Sequence, residues 1–245
     1  MRLKTRRLSL VLGVFGLIIA WLIINPESYE SILMPVEETD AEETVNFGAE
    51  GTTRDNLGAP LAVEILEKLA VKGRAPKTGY SREAFYAGWP IVEGCSLRQK
   101  IIKREFGDST VLDGCNVIAG EFDEPYTGVH MIFETREEIS KGIQIDHVVA
   151  LSDAWQKGAQ YMEQKVRYEI ATDPLNLLAV DGPANEKKSD GDAATWLPAN
   201  KKFRCQYVAR QVSVKYKYGL WITEAEKEAI LRVLQNCPNE TVIGI

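Results

Sequence analysis

The sequence predicts an α+β fold that is stapled by disulfides. Apolar residues recur at helical spacing in four segments, and short apolar or alternating runs between them indicate the strands of a small sheet. The helical segments are residues 61–71, 96–106, 200–218 and 223–236. Because 45% of the residues are apolar and 26% are charged, the composition is that of an ordinary globular protein.

The chain divides into three segments that differ in composition. Residues 1–25 begin with a basic flank and continue with 17 uncharged residues from Leu8 to Ile24, which is typical of a secretory signal or a signal anchor. The sequence after Ile24 does not offer a small-x-small cleavage site, which favours an uncleaved anchor over a cleaved signal. Residues 26–60 are acidic and without periodicity and are predicted to be a disordered stalk, and residues 61–245 form the folded domain.

The first half of the folded domain is predicted to contain two helices and three strands. An amphipathic helix covers Leu61 to Val71, and a second helix begins after Ser96, which is the expected N-cap. The strands lie near 111–112, 117–121 and 129–133, with turn signals between them. His130, in the third strand, has no acidic neighbour in the sequence and is interpreted as a packed strand residue.

The second half is predicted to contain a strand–strand–helix unit at about 143–190. A strand from Ile143 to Leu151 is followed by short helices at about 153–160 and 162–171, and Asp173-Pro174 ends them. A second apolar strand runs from Leu175 to Val180, and a helix follows from about Ala184. The two strands could pair as a hairpin.

Four cysteines fit a domain that folds outside the cytoplasm. If helices 200–218 and 223–236 fold antiparallel, Cys205 and Cys237 come to matching heights, and Cys95–Cys115 follows by elimination. A zinc site is the alternative, although the sequence has no Cys-x-x-Cys pair.

Asp146 and His147 are the first candidates for chemistry. They stand side by side in an otherwise apolar strand, where an imidazole and a carboxylate are costly to bury unless a metal or a partner compensates them. Asp146 offers a hard oxygen ligand, and His147 can accept a proton near neutral pH. Because neighbours in a regular strand face opposite sides, a shared site requires a bulge or the end of the strand here. A purely structural pair is the alternative.

Asn176, Asn185 and Lys188 supply further polar groups near this strand. An amide oxygen is a hard metal ligand, and Lys188 follows Asn185 by three residues, on the same side of the predicted helix. Taken singly, asparagines in such places are more often helix caps.

Positive charge also concentrates in this part of the sequence. Residues 185–217 carry eight basic residues against three acidic ones, although the whole chain has a net charge of −6. Such a surplus suits a phosphate backbone, with a solvated helix face as the alternative.

Taken together, these residues resemble the HNH nuclease motif. Asp146-His147, Asn176 and the segment from Asn185 to Asp190 are similar to the HNH domain of RNA-guided CRISPR nucleases. From Tyr80 to about Glu226 the chain also resembles a family of secreted actinobacterial HNH proteins with a GmrSD-like domain. The stretches that carry this resemblance are 113–115, 125–128, 145–155, 173–180 and 190–198.

The resemblance implies a ββα-metal core and a role for each matching residue. Asp146 and Asn185 correspond to metal ligands, His147 to the general base, and Asn176 to the residue that holds the loop of the base. Oxygen ligands favour Mg²⁺ or Mn²⁺, with Zn²⁺ as the alternative. Ser96 departs from the family, which has an acid after the first cysteine, and this departure could weaken activity.

The predicted function is that of an extracytoplasmic, metal-dependent endonuclease, secreted or anchored in the membrane by its N-terminal helix. Lys188 would stabilise charge in the transition state, and four other cations are candidate contacts to nucleic acid: Arg98, Lys187, Lys201 and Arg210. DNA is the expected substrate and RNA the alternative, and no protein partner is predicted. A surface module that binds nucleic acid or metal without cutting is the alternative function.

Overall fold

The computed structural model describes residues 58–244. The predicted membrane segment and nearly all of the predicted stalk belong to residues 1–57 and lie outside the described residues. Within residues 58–244, no helix combines the length and the apolar character that crossing a bilayer requires.

The described residues form the predicted α+β fold. The α-helices are α1 (Ala62–Leu66), α2 (Leu97–Phe106), α3 (Arg136–Gly142), α4 (Leu151–Gln156), α5 (Gln164–Thr172), α6 (Gly182–Lys188), α7 (Arg204–Lys217) and α8 (Glu224–Leu234). The strands are β1 (Ile91–Val92), β2 (Cys95–Ser96), β3 (Val111–Asp113), β4 (Asn116–Asp123), β5 (His130–Phe133), β6 (Ile143–His147) and β7 (Leu177–Asp181). They pair as a β1–β2 hairpin, an antiparallel β3–β4–β5 sheet and a β6–β7 hairpin.

The β6–β7 hairpin lies at the centre of the described fold because both of its faces are buried. On one face, Ile143 and Ile145 pack with the apolar side of α2. On the other face, Leu178 and Val180 pack with a second cluster that includes residues of α1, α7 and α8. Because side chains alternate along a strand, the odd-numbered residues of β6 point into one core and the even-numbered residues point to the other side.

Several elements are shorter than the sequence predicts. The helix predicted over 61–71 ends at Leu66, because the chain then turns so that Ala70 and Lys72 bond with the backbone of Ile222. The strand predicted over 143–151 ends at His147, since Leu151 already begins α4. Ser96 occupies the N-cap position of α2, but its side chain accepts no capping hydrogen bond within the described residues.

The interpretation of His130 as a packed strand residue is wrong. Its side chain is exposed, and Nδ1 lies 2.9 Å from Asp123 Oδ1. Asp123 is the residue directly opposite His130 in the β4–β5 ladder. The acidic partner is therefore a cross-strand neighbour, which inspection of adjacent residues in the sequence could not reveal.

Both predicted disulfides are present. Cys205 in α7 bonds with Cys237, which follows α8, and Cys95 bonds with Cys115. Since all four cysteines are bonded, the alternative of a cysteine-ligated zinc site is excluded.

Breaking the Cys205–Cys237 bridge is expected to destabilise the domain more than breaking the Cys95–Cys115 bridge does. The bridges close loops of 32 and 20 residues, and loop-closure entropy then predicts losses of about 4 and about 3 kcal/mol in the free energy of unfolding. Urea denaturation of Cys205→Ser/Cys237→Ser, with Cys95→Ser/Cys115→Ser as the comparison, measures both. A loss under about 1 kcal/mol for the first pair of substitutions would contradict this expectation.

Candidate active site

The carboxylate of Asp146 is buried and paired with a lysine. Only 5% of Asp146 is exposed, on the hairpin face that α6 covers. Its Oδ1 accepts a hydrogen bond from Lys188 Nζ at 2.9 Å, and its Oδ2 accepts one from the hydroxyl of Tyr126. The Lys188 ammonium also lies 2.9 Å from the backbone oxygen of His147. Burial raises the pKa of Asp146, and the charge of Lys188 opposes this shift.

Tyr126 reaches Asp146 from a loop that a buried glutamate organises. Glu124 is wholly buried, and its carboxylate accepts hydrogen bonds from the backbone N–H groups of Tyr126, Thr127 and Asp181. This arrangement ties the loop to the end of β7. The tyrosine hydroxyl is thereby held against the carboxylate of Asp146, and burial raises the pKa of Tyr126 well above its ordinary value.

His147 faces the opposite side of the hairpin from Asp146. Its ring contacts Tyr86, at a centroid distance of 5.9 Å, and Trp89, at 6.1 Å with nearly parallel planes, and these two rings also contact each other at 5.4 Å. The strands pair in unbroken register, with Asp146 opposite Leu178 and His147 opposite Leu177. Of the two predicted alternatives, a bulge is absent from β6, and the strand instead ends at His147. Regular alternation is what places the two side chains in different surroundings.

A backbone carbonyl determines the protonation of the His147 ring. Its Nε2 lies 2.9 Å from the oxygen of Ala171, at the end of α5. Because a carbonyl can only accept, Nε2 carries the proton and Nδ1 presents a lone pair. Burial lowers the pKa of His147 to about 3, so the imidazole is neutral at pH 7.

Asn176 connects the segments on either side of His147. It lies in a 3₁₀ turn, Pro174–Asn176, directly before β7 rather than within the strand as predicted. Its side-chain oxygen accepts from the N–H of Val149 at 2.8 Å, and its amide nitrogen donates to the oxygen of Ile170 at 3.0 Å. Asn176 thus binds both the loop after His147 and the end of α5 that supplies the acceptor Ala171.

Asn185 lies on the Asp146 side of the hairpin, half-buried in α6. Asp181 caps this helix by accepting from the N–H of Ala184. The amide nitrogen of Asn185 donates to the side-chain oxygen of Gln144 at 2.8 Å, and Gln144 precedes Asp146 by two residues on the same face of β6. The Asp146 side therefore gathers a carboxylate and two amides.

A cleft of about 420 Å³ opens beside α6. Lys188 contributes to its wall although its ammonium points inward to Asp146, and exposed Lys187 lies at the rim. The remaining lining residues are Arg74, Asp190, Gly191, Thr195 and Trp196. Lys201 lies elsewhere, beside Arg204 and Arg232 in a second cleft between the 193–205 segment and α8.

Two of the predicted phosphate contacts donate to the backbone instead. Arg98 donates to the oxygen of Ile143 at 3.0 Å, and Arg210 donates to the oxygen of Leu175 at 3.2 Å. Burial lowers the pKa of both arginines, that of Arg210 to about 10, so Arg210 stays charged at neutral pH. Arg104, which sequence reasoning did not single out, donates to the oxygens of Pro174 and Leu177 and supports the same turn as Arg210.

A buried network of ion pairs fixes the loop that follows α6. Lys157 is wholly buried, and its Nζ lies 2.7 Å from Asp153, 2.7 Å from Asp192 and 2.6 Å from Glu226. Lys215 contacts Asp153 and Glu226, and Arg74 contacts Asp153 and Asp192. Three cations thus balance three carboxylates. Arg74 also lines the 420 Å³ cleft, and Asp192 directly follows the lining residues Asp190 and Gly191, so the network fixes part of the wall of the cleft.

Sequence reasoning missed the aromatic residues around the two candidate groups. Tyr126 lies in the Pro-Tyr-Thr-Gly stretch that carried the resemblance, so a signal existed, but no role was attached to it. Tyr86 and Trp89 lie some sixty positions before His147, and adjacency along the chain offers no sign of their contact with its ring.

The fold and these residues define a nuclease-related domain. The model of the GmrSD restriction endonuclease C-terminal domain family matches residues 97–233, and the chain belongs to this family. A protein of Arthroderma benhamiae, described as an uncharacterized secreted protein, is 33% identical over 183 residues, which are 73% of this chain and 86% of that protein. No solved structure matches the chain.

The contribution of Asp192 to stability is expected to vanish in acid. Burial alone would raise the pKa of Asp192, but Lys157 and the other cations outweigh it and lower the pKa to about 2. The folded protein then binds fewer protons than the unfolded chain, so this stabilisation is complete above about pH 4 and is lost as the pH falls towards 2.

Urea denaturation between pH 6 and pH 2.5 tests this linkage. The gap in unfolding free energy between wild type and Asp192→Asn should narrow by about 2 kcal/mol over that range. Asp108→Asn, at an exposed position, is the matched control and should give a flat difference. A gap for Asp192→Asn that stays constant with pH would contradict the assignment.

Proposed function

We propose that this protein is a metal-dependent HNH endonuclease that hydrolyses phosphodiester bonds of DNA outside the cytoplasm. Membership of the endonuclease domain family supports the reaction class. The observation that carries the proposal is the setting of His147, a neutral imidazole whose Nε2 is engaged by the Ala171 carbonyl and whose Nδ1 keeps its lone pair. RNA is the alternative substrate.

His147 is the general base of the proposed reaction. Its Nδ1 accepts a proton from water as the water oxygen attacks phosphorus, and the 3′ oxygen leaves as the bond to phosphorus breaks. The hydrogen bond to Ala171 fixes the ring and favours the resulting imidazolium, because the carbonyl accepts from the Nε2 proton. Asn176 is a positioning residue that holds both the histidine loop and the carbonyl.

The donor atoms on the Asp146 side fit a hard divalent cation. A carboxylate, the Asn185 amide and the backbone oxygen of His147 are oxygen donors of the kind that Mg²⁺ and Mn²⁺ prefer. Asp146 Oδ1 and the His147 oxygen already share one cation, the Lys188 ammonium. Asp146 and Asn185 would hold the ion, and a bound divalent ion supplies neutralisation of the charge on the phosphate. The ion would then take the place of the Lys188 ammonium as the counter-charge of Asp146.

Export from the cytoplasm agrees with the cysteine chemistry. Both disulfides of the domain require an oxidising compartment to form and persist. The relative from Arthroderma benhamiae is described as secreted. We propose that residues 1–25 direct this export and either remain as an anchor or are removed, which the mass of the protein recovered from the producing cells would distinguish.

Plasmid cleavage is the direct test of the nuclease proposal. The purified protein is expected to nick supercoiled DNA with Mg²⁺ or Mn²⁺ and to stop in EDTA, and His147→Ala should lower the rate by about 100-fold or more because the general base is lost. Arg136→Ala, at an exposed position in α3, is the control for loss of a polar residue away from the candidate site. Absence of cleavage of DNA and RNA by folded, disulfide-bonded protein with every ion would favour the alternative of a binding module.

Removal of Lys188 is expected to make the stability of the protein depend on metal. Lys188→Met leaves Asp146 buried without its cation, which costs about 3–5 kcal/mol in a buried pair, and a divalent ion should restore the balance. We therefore expect Mn²⁺ to bind Lys188→Met about ten times more tightly than wild type, and to raise its melting temperature more. Calorimetric titration measures the affinity, with exposed Lys187→Met as the control. Equal Mn²⁺ affinity in wild type and Lys188→Met would argue against a metal at Asp146.

A further inference from the structure

The segment of residues 80–92, here called the aromatic cap, packs beside His147 at the end of β6. Tyr86 and Trp89 contact the imidazole ring. The cap is fixed to α5, because Arg167 Nε donates to the oxygen of Ala84 at 2.8 Å and Gln164 donates to the oxygen of Phe85 at 3.3 Å. Groups presented by the cap are therefore held at a defined distance from His147.

Arg82 is the cation that the cap presents beside this histidine. Its guanidinium lies over the ring of Tyr86, 5.3 Å from the ring centroid, and the Tyr86 ring in turn contacts the imidazole of His147 at a centroid distance of 5.9 Å. Arg82 Nε and Nη2 donate to the hydroxyl of Tyr86 at 3.2 and 2.5 Å.

The guanidinium of Arg82 has donors to spare. A guanidinium carries five N–H groups, and two nitrogens of Arg82 are used by one hydroxyl. Arg82 is exposed, and within residues 58–244 it forms no ion pair with a carboxylate. An exposed arginine held by a buried tyrosine, and not by an acid, keeps its charge available to an anion.

Three other cations near the candidate site already have partners within the protein. Arg98 and Arg210 donate to backbone oxygens, and Lys188 is paired with Asp146 on the opposite face of the hairpin. A phosphate that approaches His147 from its own face therefore meets Arg82 rather than these residues.

We infer that Arg82 binds the phosphate group on which His147 acts, by donating N–H groups to its non-bridging oxygens. This inference rests on the proposed function and adds a residue to it. A planar guanidinium matches two phosphate oxygens, which an ammonium does not. Tyr86 is the positioning residue, because its hydroxyl orients the guanidinium while its ring packs on the histidine.

A substrate with a single phosphate separates this contact from general attraction to DNA. The experiment measures the hydrolysis of bis(p-nitrophenyl) phosphate by wild type and by three variants: Arg82→Gln, Arg82→Lys and Tyr86→Phe. Arg136→Gln, at an exposed position in α3, is the charge-matched control. We expect kcat/KM to fall roughly 10- to 100-fold in Arg82→Gln. The fall should be smaller in Arg82→Lys, which keeps the positive charge but loses the paired N–H donors of the guanidinium. Tyr86→Phe should show a smaller fall, and Arg136→Gln should stay within about twofold.

Binding of inorganic phosphate, followed by phosphorus NMR, gives a second readout that does not need turnover. Its dissociation constant should rise about tenfold or more in Arg82→Gln and stay unchanged in Arg136→Gln. If wild type does not hydrolyse the diester, the proposed function fails, and the phosphate titration still decides the role of Arg82. Phosphate affinity in Arg82→Gln and Arg82→Lys equal to that of the control, with unchanged melting temperatures, would overturn the inference.

Discussion

The two-residue period of β6 is the constraint on which the candidate site depends. Because Asp146 and His147 are neighbours in a regular strand, they enter different cores, one with a lysine and a tyrosine and the other with aromatic rings. The two environments have different effects on the titratable group that each contains. On the Asp146 side a lysine and a tyrosine donate hydrogen bonds to a buried carboxylate, whereas on the His147 side burial keeps an imidazole neutral.

Charge inside this domain is tolerated because it is compensated locally. Asp146 and Lys188 form one buried pair, and the network around Lys157 forms a second buried group. Buried pairs are costly to desolvate, and removing one partner is more costly still. Their presence next to the cleft therefore means that the walls of the cleft are sensitive to any substitution that changes charge, including substitutions that do not touch a substrate.

The sequence carried more information about which residues matter than about where they point. The Cys205–Cys237 pairing followed from the positions of these cysteines on two antiparallel helices, and His147 became a candidate because it is a titratable group in an apolar strand. The partner of Asp146 could not be foreseen fully, since helical spacing places Lys188 near Asn185 without saying that its ammonium turns inward.

Long-range contacts explain the other differences. Tyr126 reaches Asp146 across 20 residues, and Arg98 and Arg210 donate to backbone oxygens that only the folded hairpin presents. Patterns of charge along the chain identify basic residues, but which of them face solvent depends on where carbonyl groups are left unpaired, and that is a property of the tertiary structure.

Helix α5 joins two parts of the site that belong to different regions of the sequence. Its first turns hold the aromatic cap through Gln164 and Arg167, and its last turn supplies Ala171 to the histidine ring. One turn added to or removed from this helix would displace the cap and the ring acceptor relative to each other by about 5 Å. The length of α5 therefore sets the distance between the aromatic cap and the carbonyl that orients the histidine. A relative with a longer or shorter helix here would need a different way to keep its histidine neutral and oriented.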